Sequence, residues 1–128
     1  MTGQNEAGTS WARALEAMRD AEGYSSANGR ANRAYYAAFH AVSGLLALDG
    51  VTYKTHHAIH SAVHRDFVNT GRWPKELGKH YSDLFDLRMT GDYGGVFGVS
   101  EAEAEYALDS ARRILRAVHD AHPDIFPL

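Results

Sequence analysis

The chain has 128 residues, 45% of them apolar, 23% charged and 11% aromatic, which describes one globular domain able to bury its own core and excludes disorder and collagen-like repeats. It contains no cysteine, so disulfide frameworks, thiol nucleophiles and thiolate zinc sites are excluded, and a reducing, cytoplasmic setting is the expectation. Thirteen Lys and Arg against sixteen Asp and Glu leave a net charge of −3, which argues against a broad grip on a nucleic-acid backbone and leaves only local binding of a polyanion.

Helical periodicity runs through almost every long segment, and no strand-like alternation competes with it. The opening residues MTGQNEAGTS have neither a basic start nor an apolar stretch, and the apolar run Leu45 to Leu48 is too short to span a bilayer, so no signal peptide or membrane anchor is expected. Residues 1–9 read as a flexible polar tail. The spacing of Trp11, Leu15 and Met18 predicts a first helix from about Ser10 to Glu22, ended by Gly23. A second, longer helix starts between Ser25 and Ala31, carries the apolar stripe Tyr35, Phe39, Val42 and Leu46, and stops at Asp49-Gly50.

Thr55 suits the N-cap of a third helix that buries Ile59, Val63 and Phe67 and ends near Asn69-Thr70-Gly71. Pro74 fits the first turn of a fourth, with Leu77, Tyr81, Leu84 and Arg88 along one side. The segment GDYGGVFG, from Gly91 to Gly98, predicts a loop with unusual backbone angles or a close approach to another element. Ser100 and Glu103 form the capping box of a last helix that presents Ala104, Ala107, Ala111, Ile114 and Val118 and stops near Pro123. The expected fold is all-α: an antiparallel four-helix bundle with an additional short helix at residues 10–122, followed by a C-terminal tail at 123–128.

Ten of the thirteen cations are Arg, and eight residues are His. Arg grips phosphate through paired N–H groups, and His exchanges protons near neutral pH. The two types meet in the second helix, in Arg30-Ala-Asn32-Arg33-Ala-Tyr-Tyr36-Ala-Ala-Phe-His40-Ala. Seven residues separate Arg33 from His40, which places them about 20° apart around a helix axis and roughly 10 Å along it. On one face they supply the minimum for metal-free RNA cleavage. The imidazole exchanges a proton with the ribose 2′-hydroxyl or the leaving oxygen, and the guanidinium provides fixed positive charge for the transition state. The competing reading makes His40 a hydrogen-bonded core residue and Arg33 a solvated surface cation.

This helix resembles that of the HEPN domains, particularly compact bacterial and archaeal members with an RAYYAxFHA sequence. The resemblance extends through Thr55-His56 and Leu87-Arg88-Met-Thr-Gly-Asp92-Tyr93 to the acidic last helix, in the family's order, over roughly residues 10 to 120. It implies four main helices plus a short one, a homodimer, and an Arg-x(4–6)-His signature that belongs, in active members, to a metal-independent endoribonuclease whose two motifs meet at the dimer interface. It also implies an RNA substrate and, as partner, a small nucleotidyltransferase antitoxin. Arg33 and His40 are the implied catalytic pair, with Arg30, Asn32, Tyr36, Arg88, Asp92 and Tyr93 as supporting or substrate-binding residues. No cofactor is implied.

Two positions depart from the family pattern. Active members often have a polar residue directly after the Arg, where this chain has Ala34, and some toxins carry a tyrosine two positions after the His that the antitoxin modifies with AMP, where this chain has Val42. Tyr93 remains as a different candidate for modification. A non-catalytic HEPN module that binds a nucleotidyltransferase or a nucleotide is the alternative function.

His56, His60 and His64 recur every four residues, a spacing able to share a metal ion. No carboxylate completes a local metal motif, and the stripe reads as solvent-facing, opposite Ile59, Val63 and Phe67. Arg88 and Asp92, four apart, suit a salt bridge that anchors the glycine segment or a supporting role beside the catalytic pair.

Overall fold

The computed structural model describes residues 2–93 and 98–128, without the side chains of Thr2, Asp92 and Tyr93. All regular structure among the described residues is helical: α1 (Thr2–Gly23), α2 (Ala27–Leu48), α3 (His56–Ala62), α4 (Lys75–Tyr93) and α5 (Glu101–Ala121). The short α3 runs on without a break as a π-helical segment, Val63–Val68.

The all-α bundle is organised around α2, which packs against α1, α4 and α5. Its sequence explains why it lies at the centre. Ala31, Ala34, Ala37, Ala38 and Ala41 are fully buried with Tyr35 and Val42, so small side chains point in nearly every direction and let three helices approach closely. A helix that is apolar almost all round belongs inside a bundle. The half-buried strip through Asn32, Arg33, Tyr36 and His40 is the exception.

Local signals hold at most helix ends. Ser26, Thr55 and Ser100 accept hydrogen bonds from the backbone N–H groups of Gly29, Ala58 and Glu103, and the Ser100–Glu103 capping box is complete. Gly50 and Gly71, at two of the predicted stops, both have φ +82°, the left-handed conformation that ends helices at low cost only for glycine. Among the described residues no helix is long and apolar enough to cross a membrane.

Both termini differ from expectation. In place of a tail up to residue 9, α1 begins at Thr2, and its first turns lie on α2 through Gly3 and the fully buried Ala7. These small residues permit close contact without producing a hydrophobic period, so the sequence reads as merely polar. At the other end Phe126 is fully buried, its ring centroid 5.4 Å from that of Trp11, and the Trp11 indole N–H donates to the carbonyl of Pro127 at 2.8 Å. The last residues are therefore packed on α1.

The glycine segment also starts later than predicted, because α4 continues through Gly91, Asp92 and Tyr93. Residues 94–97 lie outside the described residues. At Gly98 the expected close approach is present: its φ is +57°, and a Cβ there would meet the side chain of Asn28 at 2.7 Å. Asn28 Oδ1 accepts the Val99 N–H at 2.8 Å and so ties the start of α5 to the start of α2.

Candidate active site

The half-buried strip of α2 is built from one turn to the next. Arg33 Nε and Nη2 both donate to Asn32 Oδ1, at 3.0 and 2.9 Å, and its guanidinium lies 4.9 Å from the centre of the Tyr36 ring. No carboxylate pairs with Arg33 among the described residues. Arg88, from α4, stands over Tyr35 and Tyr36 at 5.2 and 5.8 Å. The Tyr36 ring then lies 6.1 Å from that of His40. Asn32, Arg33, Tyr36, Arg88 and His40 are thus brought together, with Tyr36 as the shared platform between two guanidinium groups and the imidazole.

Arg30 is engaged elsewhere. Its guanidinium donates to the carbonyls of Tyr24 and Ser25 and forms an ion pair with Glu101, fastening the α1–α2 connection to the first turn of α5. Ala34 is fully buried and points into the core, so the residue after Arg33 does not face the strip; the polar neighbour that holds the guanidinium is the one before it, Asn32. The side chains of Asp92 and Tyr93 lie outside the described residues.

His40 is half-buried and makes no hydrogen bond among the described residues, unlike the satisfied core histidine of the competing reading. Burial lowers its pKa from the ordinary 6.5, and the positive charges of Arg13 and Arg33 and the neighbouring His56 lower it further. The imidazole is therefore neutral at pH 7 and ready to accept a proton. Arg13, on α1, was not legible as a site residue: it is one of ten arginines, and its closeness to His40 depends on how α1 lies across α2.

The stripe of His56, His60 and His64 is half-buried and turned toward neighbouring helices rather than solvent-facing, while His57 beside it is exposed. His56 Nδ1 lies 2.7 Å from the Tyr35 hydroxyl, and its ring stacks on Phe39 at 4.4 Å. Burial raises the Tyr35 pKa to about 12 despite the hydrogen bond with Tyr81 and the charge of Arg88, so the phenol keeps its proton. His60 and His64 aim their Nε2 atoms at Ser82 Oγ, at 2.8 and 2.9 Å. The short α3 is wedged against both α2 and α4, which turns this polar stripe toward its neighbours. No group of three or more His, Cys, Asp or Glu is assembled for a metal ion among the described residues.

The pKa values of His40, His56 and His60 are all lowered, chiefly by burial. As pH falls through 6.5, the unfolded chain takes up protons that the folded chain refuses, so stability declines from pH 7 toward pH 5. The lowered carboxylates Asp66, Asp83 and Asp109 act in a separate window, below their ordinary 3.8. Urea denaturation at pH 7 and pH 5 is expected to show the decline, and His40→Gln to shrink it; equal stabilities at the two pH values would contradict the assignment.

The HEPN domain family matches residues 10–121, and the chain belongs to that family. It is 38% identical over 94 residues to a UPF0332 protein from Thermotoga maritima, covering 73% of this chain and 71% of that protein. It is 29% identical over 77 residues to the Methanocaldococcus jannaschii protein named "Putative toxin MJ0142", covering 60% of this chain and 52% of that one. No solved structure gives a significant match.

Proposed function

We propose that this HEPN domain is a metal-independent endoribonuclease, the toxin of a cytoplasmic toxin–antitoxin pair, that cleaves RNA as a homodimer. The observation that carries this reading is the strip of α2 on which an imidazole with no hydrogen-bond partner among the described residues and an arginine with no carboxylate partner among them share one face. The names of the relatives add a toxin to the family match.

In this mechanism neutral His40 takes the proton of a ribose 2′-hydroxyl. The 2′-oxygen attacks the adjacent phosphorus, the P–O5′ bond breaks, and the departing oxygen receives a proton. The products are a 2′,3′-cyclic phosphate and a 5′-hydroxyl. Arg33, held by Asn32, faces the charge that builds on the phosphate oxygens. One chain offers one such imidazole, whereas the reaction uses a base and an acid; a second copy supplies the other. A small nucleotidyltransferase is the proposed antitoxin, and Tyr93 a proposed target of its chemistry.

RNA incubated with the purified protein, with and without chelator, tests the reading. Equal cleavage in both, with 2′,3′-cyclic phosphate ends, is the expected outcome. RNA left intact would overturn it, and stable binding of the nucleotidyltransferase without cleavage would select the non-catalytic docking function.

A further inference from the structure

A cavity of about 370 Å³ opens between the first half of α1, the second half of α2 and the α2–α3 connection, within the size range of small-ligand clefts. Asn5, Thr9, Arg13, Ser43, Thr52 and Tyr53 contribute polar groups to a lining whose surface is mainly apolar. Its position follows from the helix register. Gly44 lies against Ala7 and Ser10, and Gly3 against the carbonyl of Ala47, so α1 and α2 run antiparallel. One turn further along α1, Arg13 comes level with His40. On α2 the wall residue Ser43 is three positions beyond His40, on the side away from Arg33. His40 thus stands between the Arg33 platform and the cavity mouth, with Arg13 beside it.

Arg13 differs from half of the ten arginines of this chain. Arg30, Arg65, Arg72, Arg112 and Arg113 each pair with a carboxylate, whereas Arg13 has no hydrogen bond or ion pair among the described residues. Its charge is felt by His40 more strongly than that of Arg33. Glu6 also lines the cavity, seven residues from Arg13 and so on the same side of α1 at roughly 10 Å. The wall is therefore cationic at the His40 end and anionic at the far end. The Tyr53 ring, on the α2–α3 connection that also lines the cavity, is steadied because its hydroxyl accepts a hydrogen bond from Arg65 Nη2 at 2.7 Å.

A nucleotide has the matching polarity, with an anionic phosphate at one end, an aromatic base, and N–H donors on the base edge. We propose that this cavity is a nucleoside subsite of the same centre. It seats the nucleotide next to the cleaved bond, with Arg13 on its phosphate, Tyr53 against its base and Glu6 accepting from the base edge. The proposal rests on the reading of the α2 strip as an RNA-cleaving site, to which it adds a second binding residue and a source of base preference.

Binding of a fluorescent twelve-nucleotide RNA of mixed sequence to the His40→Ala protein tests it without cleavage. Adding Arg13→Ala is expected to weaken binding about tenfold and to lower the salt dependence by about one phosphate contact, as loss of a charge-assisted hydrogen bond does. Arg13→Lys should recover much of the loss. Tyr53→Ala should weaken binding at least several-fold, while Arg116→Ala, an exposed arginine lining a different groove, leaves it unchanged. In the otherwise native protein, Glu6→Gln should alter the base found beside the cut.

If Arg13→Ala and Tyr53→Ala bind RNA like their parent while Arg33→Ala does not, the subsite is wrong and the α2 site stands. An unaltered base beside the cut in Glu6→Gln would overturn the base-edge contact. If the His40→Ala protein binds no RNA and the native protein cleaves none, both readings fall together.

Discussion

His40→Ala is expected to cut RNA on the order of a thousandfold more slowly than the native protein while keeping its helical content, since a positioned general acid or base contributes about 10²–10⁴ to rate. The magnitude follows from what the imidazole alone provides. Tyr35 holds its proton up to about 12, the neighbouring His56 has its Nδ1 engaged with the Tyr35 hydroxyl, and the other described side chains gathered at the strip beside His40 are arginines, tyrosine and an asparagine, which do not serve as general bases at neutral pH. Arg33→Ala should lose about a hundredfold, in the range for removal of one preorganised partner of developing charge.

The double variant should fall little below His40→Ala, because groups acting on one transition state do not contribute independently. Initial rates on end-labelled RNA, with circular dichroism of each variant, provide the check. Because burial and the nearby arginines lower the His40 pKa, the native rate should rise with pH along a limb whose midpoint lies below the ordinary 6.5 if His40 acts as the base. Cleavage by His40→Ala at the native rate would end the catalytic assignment.

The second large effect concerns stability. Trp11 is only 3% exposed, and it holds the C-terminal residues through the Phe126 ring and the Pro127 carbonyl. Trp11→Ala empties a large core volume and releases that segment, so unfolding free energy should drop by about 3–5 kcal/mol. Against a total of about 5–15 kcal/mol this is a large fraction, and the melting temperature should fall on the order of 10–20 °C. Trp11→Phe retains an aromatic ring against Phe126 but leaves the Pro127 carbonyl without its donor, and should cost about 1–2 kcal/mol. Thermal melts and urea titrations distinguish the two. If Trp11→Ala melts with the native protein, the packed C-terminal segment contributes nothing to the fold.

The sequence alone determined whatever depends on neighbours within a turn or two. Thr55 and Ser100 with Glu103 cap helices through hydrogen bonds reaching three residues, so their type and spacing were sufficient evidence. The alignment of Arg33 with His40 is of the same kind, because a regular helix returns to one face after seven residues. The helical class and the α2 residues of the strip were accordingly legible.

Only the tertiary structure decided which side of each helix meets which neighbour. Small residues at Gly3, Ala7 and Gly44 bring α1 onto α2, and this contact makes helix of the expected N-terminal tail, sets Arg13 beside His40 and opens the cavity beyond it. The wedge of α3 between α2 and α4 turned His56, His60 and His64 toward those helices, and Trp11 drew the C-terminal residues onto α1. The physical division is between two ranges of interaction. Backbone hydrogen bonds and caps act locally and repeat by rule, whereas the register between helices comes from the fit of side chains far apart in the chain, which no local period contains.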